Sequence, residues 1–300
     1  MRSVLFRLAG LGILIVAVVF AIFARRILLK PNPLQPSAAS SVVSASKPVA
    51  SQPSQSAVAS EHPLDPVLRL AREILVHIQQ DVHDYQGKLI KRERIGGSLG
   101  AEVQMEFKIR TARDASADHP AAPLSAYLKF LEPWSARGRE VIWVEGKNNN
   151  KLIGHEGGFK NLLRVELEPR GVLAMMDNKY PITEIGLTKL AEKLIEKGER
   201  DREVGLCEVQ ILDDQKVGDR QCQLIQVTHP DRDQRFDFHI AQIFIDTQRQ
   251  IPLRYAAFLW PEKEGAEPPL EEEYTYLNVE LNVGLTDSDF DPENSDYQYP

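Results

Sequence analysis

A chain of 300 residues with 43 acidic and 36 basic side chains leans away from nucleic acid as a partner. The imbalance is concentrated: residues 1–62 hold six of the basic groups and one acidic group, which leaves 30 against 42, a net −12, for the remainder. That remainder is long enough for one large domain and too acidic to favour nucleic acid or an anionic lipid surface, since both reward clustered Lys and Arg.

Residues 8–24 are an unbroken run of apolar or small side chains, including Leu11, Ile13, Val16, Phe20 and Ile22. As a helix the run is ~26 Å long, just under the ~30 Å hydrocarbon core. Snorkelling by Arg7 and Arg25 and the preceding Val4, Leu5 and Phe6 make up the difference. A cleavage site after Ala24 is poorly formed, with bulky Ile22 two positions before and Arg25 and Arg26 after. Residues 1–30 are therefore expected to be an uncleaved transmembrane anchor in preference to a removed signal peptide. Arg2 and Arg7 before the run nearly balance Arg25, Arg26 and Lys30 after it, so charge alone does not orient the anchor. Residues 31–62 are rich in Ser, Ala, Pro and Gln, and bury too little to offset their ordering entropy. They are read as a disordered tether.

Residues 63–300 read as the folded domain. Asp65 is placed as an N-cap with Pro66 at the first helical position. Leu64, Val67, Leu68, Ala71, Ile74, Leu75 and Ile78 then form one helical stripe. Period two follows. Val103, Met105, Phe107 and Ile109 alternate with polar residues, and Ala126, Leu128 and Phe130 continue the pattern. Residues 139–145 read as a more buried strand. Phe236, Phe238 and Ile240 share a face before the phase slips to Ile243 and Ile245, which predicts a bulge. Strands are expected over 251–259 and 277–283. One more helix, over 184–197, is expected to stop at Gly198. Strands in close succession with two good helices exclude an alternating parallel plan. The fold class is mainly β (α+β): a curved antiparallel sheet or incomplete barrel, covered on one face by helices.

Cys207 and Cys222 are the only cysteines. A hairpin loop at 213–216 places them opposite one another, where a disulfide is geometrically allowed; a tight turn at Gly218 and Asp219 separates them. Both registers stay open. No phosphate loop, nucleophile elbow, His-Glu-x-x-His or Cys-x-x-Cys occurs, so no catalytic residue, cofactor or metal ligand is assigned. His155, Glu156 and the two following glycines are the most suggestive polar group, read as a hydrogen-bonded turn with acid–base or metal chemistry as the alternative. Lys91, Arg92, Glu93 and Arg94 are read as a solvated strand end with internal ion pairs, in preference to an anion site. The acidic runs 271–273 and 287–296 lack a calcium loop's spaced ligands and central Gly, and are read as solvated surface.

Several longer motifs carry a resemblance. They are Arg92 and Glu93 within the charged run, Tyr127 to Phe130, and Gly138, Arg139 and Glu140 continuing through Glu145 and Gly146. Further on come His155, Glu156 and Gly157, then Asn178, Lys179, Tyr180 and Pro181. In these the chain resembles a bacterial domain family of unknown function that is expected to lie outside the cytoplasm. The family's fold is similar to periplasmic lipoprotein-carrier proteins and their outer-membrane receptors, where helices lid an incomplete barrel. The resemblance implies a cell-envelope domain on the periplasmic side of the membrane, tethered by residues 1–30, with lipid or a lipoprotein as its partner. Three functions are compatible with the residues: hydrophobic-ligand binding in a concave sheet, scaffolding with that face filled, and hydrolysis centred on His155 and Glu156.

Overall fold

The central strand β1 (Asp84–Ile95) owes its position to a long-range pairing: it lies between β3 (Val103–Arg110) and β12 (Leu270–Leu281), antiparallel to both. The computed structural model describes residues 61–115 and 120–300, so the expected anchor, and the expected tether up to residue 60, lie outside the described residues. Among the described residues no helix is long and apolar enough to cross a membrane.

Two meanders flank the centre. On one side β3 is followed in space as in sequence by β4 (Ser125–Glu132), β5 (Glu140–Val144), β6 (Leu152–His155) and the edge strand β7 (Arg164–Leu167). On the other, β12 is followed by β11 (Pro252–Phe258), β10 (Ile240–Asp246), β9 (Arg220–Thr228) and the second edge strand β8 (Glu208–Val217). A two-residue strand, β2 (Ser98–Leu99), pairs with the end of β1. The result is a curved, unclosed, wholly antiparallel sheet, as its alternating patterns lead one to expect.

The topology dictates where the helices go. The chain leaves the sheet at edge β7 and re-enters at the opposite edge β8, and α2 (Val172–Met175) and α3 (Leu187–Val204) lie on that crossing. They share the core with α1 (Leu64–Asp81), which precedes β1. The inner strand faces supply Leu89, Met105, Phe107, Ile109, Ile225, Val227, Leu253 and Tyr276; the helices supply Leu64, Leu68, Ile74, Ile78, Leu187 and Ala191.

Several local expectations are corrected. Helix α1 begins two residues earlier, with Pro63 before it, and Asp65 is not its N-cap: its carboxylate accepts from the His62 amide at 3.1 Å and pairs with Arg202. Gly198 does not stop α3, which runs on to Val204. A Cβ there would lie 2.9 Å from Leu68 Cδ2, so the glycine lets α1 and α3 approach closely. Phe236 and Phe238 precede β10 outside any strand, and the irregularity between β10 and β11 falls at Phe244 and Ile245. The last strand starts seven residues before position 277 and ends at Leu281, with a bulge where Asn278 adopts φ 52° opposite Gly87.

The tight-turn register is the one adopted for the cysteines: Val217 pairs with Arg220, Cys222 faces Gln215, and both thiols are buried and free. No disulfide joins Cys207 to Cys222. We expect a thiol reagent under denaturing, non-reducing conditions to titrate two thiols per chain, and close to none in the native protein. A titre near zero after unfolding would show a disulfide instead.

Candidate functional site

The sheet's inner face and the two long helices enclose a seam. Leu68, Ala71 and Ile74 of α1, Ala191 and Leu194 of α3, and the inward residues of β9 to β11 line it. Its polar lining is confined to Lys197, Asp201 and Tyr255. The seam leaves about 80 Å³ of free space. That is well below the ~300 Å³ at which ligand pockets begin, and below the ~150 Å³ engineered cavity that takes benzene.

A charged cluster lies beside the seam. Glu272 on β12 is 1 % exposed and is surrounded by donors. Lys179 Nζ stands 2.9 Å away, Lys197 Nζ 3.4 Å, and the Tyr180 hydroxyl donates at 3.0 Å. Next to it Glu93 accepts from Lys91 at 2.8 Å, from the Tyr274 hydroxyl at 2.5 Å and from the Lys179 amide at 3.2 Å. Lys91 also donates to Asn178 at 2.7 Å. Burial works against the Lys179 charge, but Glu272 and Glu271 outweigh it and raise its pKa. The runs read as solvated are thus partly internal: Lys91, Glu93 and Glu272 are buried inward residues of β1 and β12. Two separate sequence motifs, Lys91 to Arg94 and Asn178 to Pro181, meet at this cluster, with Pro181 buried at the start of a 3-10 turn.

A second set of motif residues meets on the outer face. Glu140 and His155 pair across β5 and β6, both fully buried, with His155 Nε2 3.1 Å from Glu140 Oε2. The His155 Nδ1 side faces the Glu156 carbonyl at 2.8 Å, while the Glu156 carboxylate is bound by Arg139 at 2.7 Å. His155 and Glu156 therefore present no shared acid–base pair to solvent. Although burial opposes its charge, hydrogen bonds from His155 and the Gln298 amide hold Glu140 below the usual carboxylate range. The C-terminal residues cover the pair: Tyr299 sits edge-on to His155, Tyr297 stacks on Tyr127 at 4.1 Å, and Phe290 packs with Ile142 and Val144. The acidic tail is pinned as well, with Asp289 bound by Lys108 and Asp287 by Arg110, each at 2.7 Å.

Arg92 points away from both clusters and donates to the Gly100 carbonyl at 3.1 Å. Glu145 and Gly146 lie at an exposed turn after β5, where Gly146 has φ 74°. Gly138 and Gly157 cross at close range, and a Cβ on Gly157 would lie 2.2 Å from the Arg137 carbonyl oxygen.

A third group was invisible in the sequence. Asp201 of α3 and His229 after β9 are both buried, with 3.7 Å between carboxylate and Nε2. Burial pushes Asp201 up to about 6 and lowers His229. Burial, then Asp201, also pushes the nearby Cys207 thiol up to about 11, which makes it a poor nucleophile. Among the described residues no three His, Cys, Asp or Glu side chains come together as a metal site.

Residues 82–299 match the family described as "Protein of unknown function (DUF1571)", and the chain belongs to that family. No protein with curated annotation matches it. Solved structures are similar at low identity. A DUF1329 family protein from Desulfovibrio piger is 13 % identical over 77 % of this chain and 98 % of its own, with a TM-score of 0.37. A putative outer membrane lipoprotein-sorting protein domain from Vibrio parahaemolyticus is 11 % identical over 75 % and 95 %, at 0.33. The lipoprotein LppX of Mycobacterium tuberculosis is 14 % identical over 74 % and 98 %, at 0.39. Likeness this remote carries no argument about ligand or partner.

Two outcomes follow from these clusters. Gly157→Ala should cost about 3 kcal/mol, because rigid backbone stands where the methyl must go. Gly158→Ala has open space and only a φ of 63° to strain it, and should cost about 1 kcal/mol; equal losses in urea unfolding would show that the crossing is not tight. For Asp201, a folded pKa raised to about 6 from 3.8 means stability that is full below pH 3.8 and lost as pH rises through 6. Asp201→Asn, which cannot titrate, should gain roughly 1–3 kcal/mol on the wild type between pH 4 and pH 8. A pH-independent difference would mean that Asp201 is not shifted.

Proposed function

We propose that this domain binds a single hydrophobic chain between its concave sheet and its lid helices, as a tethered component of the cell envelope. The observation that carries the reading is the seam itself. It is an almost wholly apolar slot that runs between two helices and a sheet, with three polar side chains in its lining. Binding sites for apolar ligands are concave and mostly apolar with few polar groups, and the slot has that composition. Its free space is too small for an acyl chain as it stands, so entry requires α1 and α3 to part from the sheet or from each other. Much of what ties the two helices at their surface is weak: Arg72 with Glu199 at 2.7 Å and Arg202 with Asp65 are exposed ion pairs, worth ~0–1 kcal/mol each. The membrane anchor over residues 1–30, the periplasmic placement and a lipid or lipoprotein partner belong to this proposal.

The same small volume favours a second reading, a scaffolding domain whose helices fill the face permanently. Native mass spectrometry of the purified full chain separates the two. Binding predicts a population heavier than the sequence mass by one lipid. It also predicts loss of that population in Ala191→Leu, which thickens the α3 wall of the seam while keeping a good helix former. A wild-type protein that never carries extra mass and takes up no added lipid would leave scaffolding as the function.

A further inference from the structure

We propose that Tyr255 is the head-group anchor of the seam, its phenol donating a hydrogen bond to the carbonyl or carboxylate oxygen of a bound acyl chain. The assignment rests on the chain-binding reading and narrows it to a ligand class: a hydrocarbon chain that ends in an oxygen acceptor.

Tyr255 stands on β11, 4 % exposed, and lines the seam. Its hydroxyl makes no hydrogen bond of acceptable length and angle, although the Glu272 carboxylate is near. A buried hydroxyl without a partner is a standing penalty that native structures rarely tolerate without use. The groups around it are already engaged. Glu272 is taken by Tyr180, Lys179 and Lys197; Tyr274 donates to Glu93; and Asp237 holds Arg200 at 2.7 Å. Tyr255 is thus a further donor beside Glu272, in the lining of the slot and without a well-formed hydrogen bond of its own. Burial, then the Glu272 carboxylate, raises its pKa well above the ordinary phenol value, so it stays a donor at every physiological pH.

Lys197 supplies the second element. It also lines the seam, with its ammonium 6.0 Å from the Tyr255 ring centroid. It donates to Glu272 at 3.4 Å and pairs with Asp237 at 3.7 Å; an ammonium has three N–H donors, so one is left for an incoming anion. A free fatty acid and an acyl ester of a lipid both present the oxygen that Tyr255 needs. Only the acid also rewards Lys197.

The test uses the full-length protein with palmitate, methyl palmitate and hexadecane, each delivered from cyclodextrin. Tyr255→Phe should bind palmitate and methyl palmitate about tenfold more weakly while binding hexadecane as the wild type does. A preference for palmitate over its ester that disappears in Lys197→Gln identifies the free acid as the ligand. Equal affinity for the two in both proteins identifies an acyl ester. Circular dichroism melting of each variant shows that the fold is kept. If wild type and Tyr255→Phe bind all three probes alike, the anchor is wrong and chain binding stands. If the wild type binds none, both fall together.

Discussion

The antiparallel pairing of β1 with β12 is the constraint on which the rest depends. It joins the chain's first long strand to its last, in the middle of the sheet, and leaves β7 and β8 as opposite edges. Because the chain must cross from one edge to the other, α2 and α3 have to traverse a face, and the face they traverse becomes the core. The same register sets the site. Leu89 opposite Tyr276 is apolar, Lys91 opposite Tyr274 is mixed, and Glu93 opposite Glu272 is two carboxylates that need cations. One sheet face therefore grades from grease to charge within three pairs of inward residues.

That gradient explains why so polar a cluster is tolerated inside. A buried carboxylate is costly unless charged and hydrogen-bonding partners surround it. Glu272 has two ammonium groups and a phenol, and Glu93 has an ammonium, a phenol and a backbone amide. Breaking such a network by removing one partner is more damaging than its net worth, since it strands the rest. It fixes the segment after α2 against the sheet and marks one end of the seam.

What could be read from the residues alone follows from how local each signal was. The alternation at Met105, Phe107 and Ile109, and at Ala126 and Leu128, marks half-buried strands because the inward set is uniformly apolar. In β1 and β12 the inward set includes Lys91, Glu93 and Glu272, so the pattern there looks like solvated charge and hides two central strands. The bulge at Asn278 shifts the phase of β12, which makes Leu277 look aligned with Val279 when they do not share a face. The turn at Gly218 and Asp219 was visible and is the one used. Nothing local announces that β1 meets β12, or that Tyr297 and Tyr299 return to cover Tyr127 and His155. The motif residues could be named in advance, but the convergence of Glu93 with Lys179 and of Glu140 with His155 into one inner and one outer cluster could not, since the partners lie apart along the chain.

The strapped tail has a consequence for biogenesis. Two hundred positions separate Asp84 from Gly284, yet the Asp84 carboxylate receives the Gly284 and Leu285 amides, and the final residues seal the outer face of β4 to β6. During synthesis the middle of the sheet has no second neighbour until β12 emerges, and the outer aromatic patch has no cover until Phe290, Tyr297 and Tyr299 follow. Folding of so non-local a topology is slow and late. A sheet whose centre waits for β12 leaves β1 and β3 to β11 short of their final packing while they are made, so a late-arriving strand sets the moment at which the domain can close.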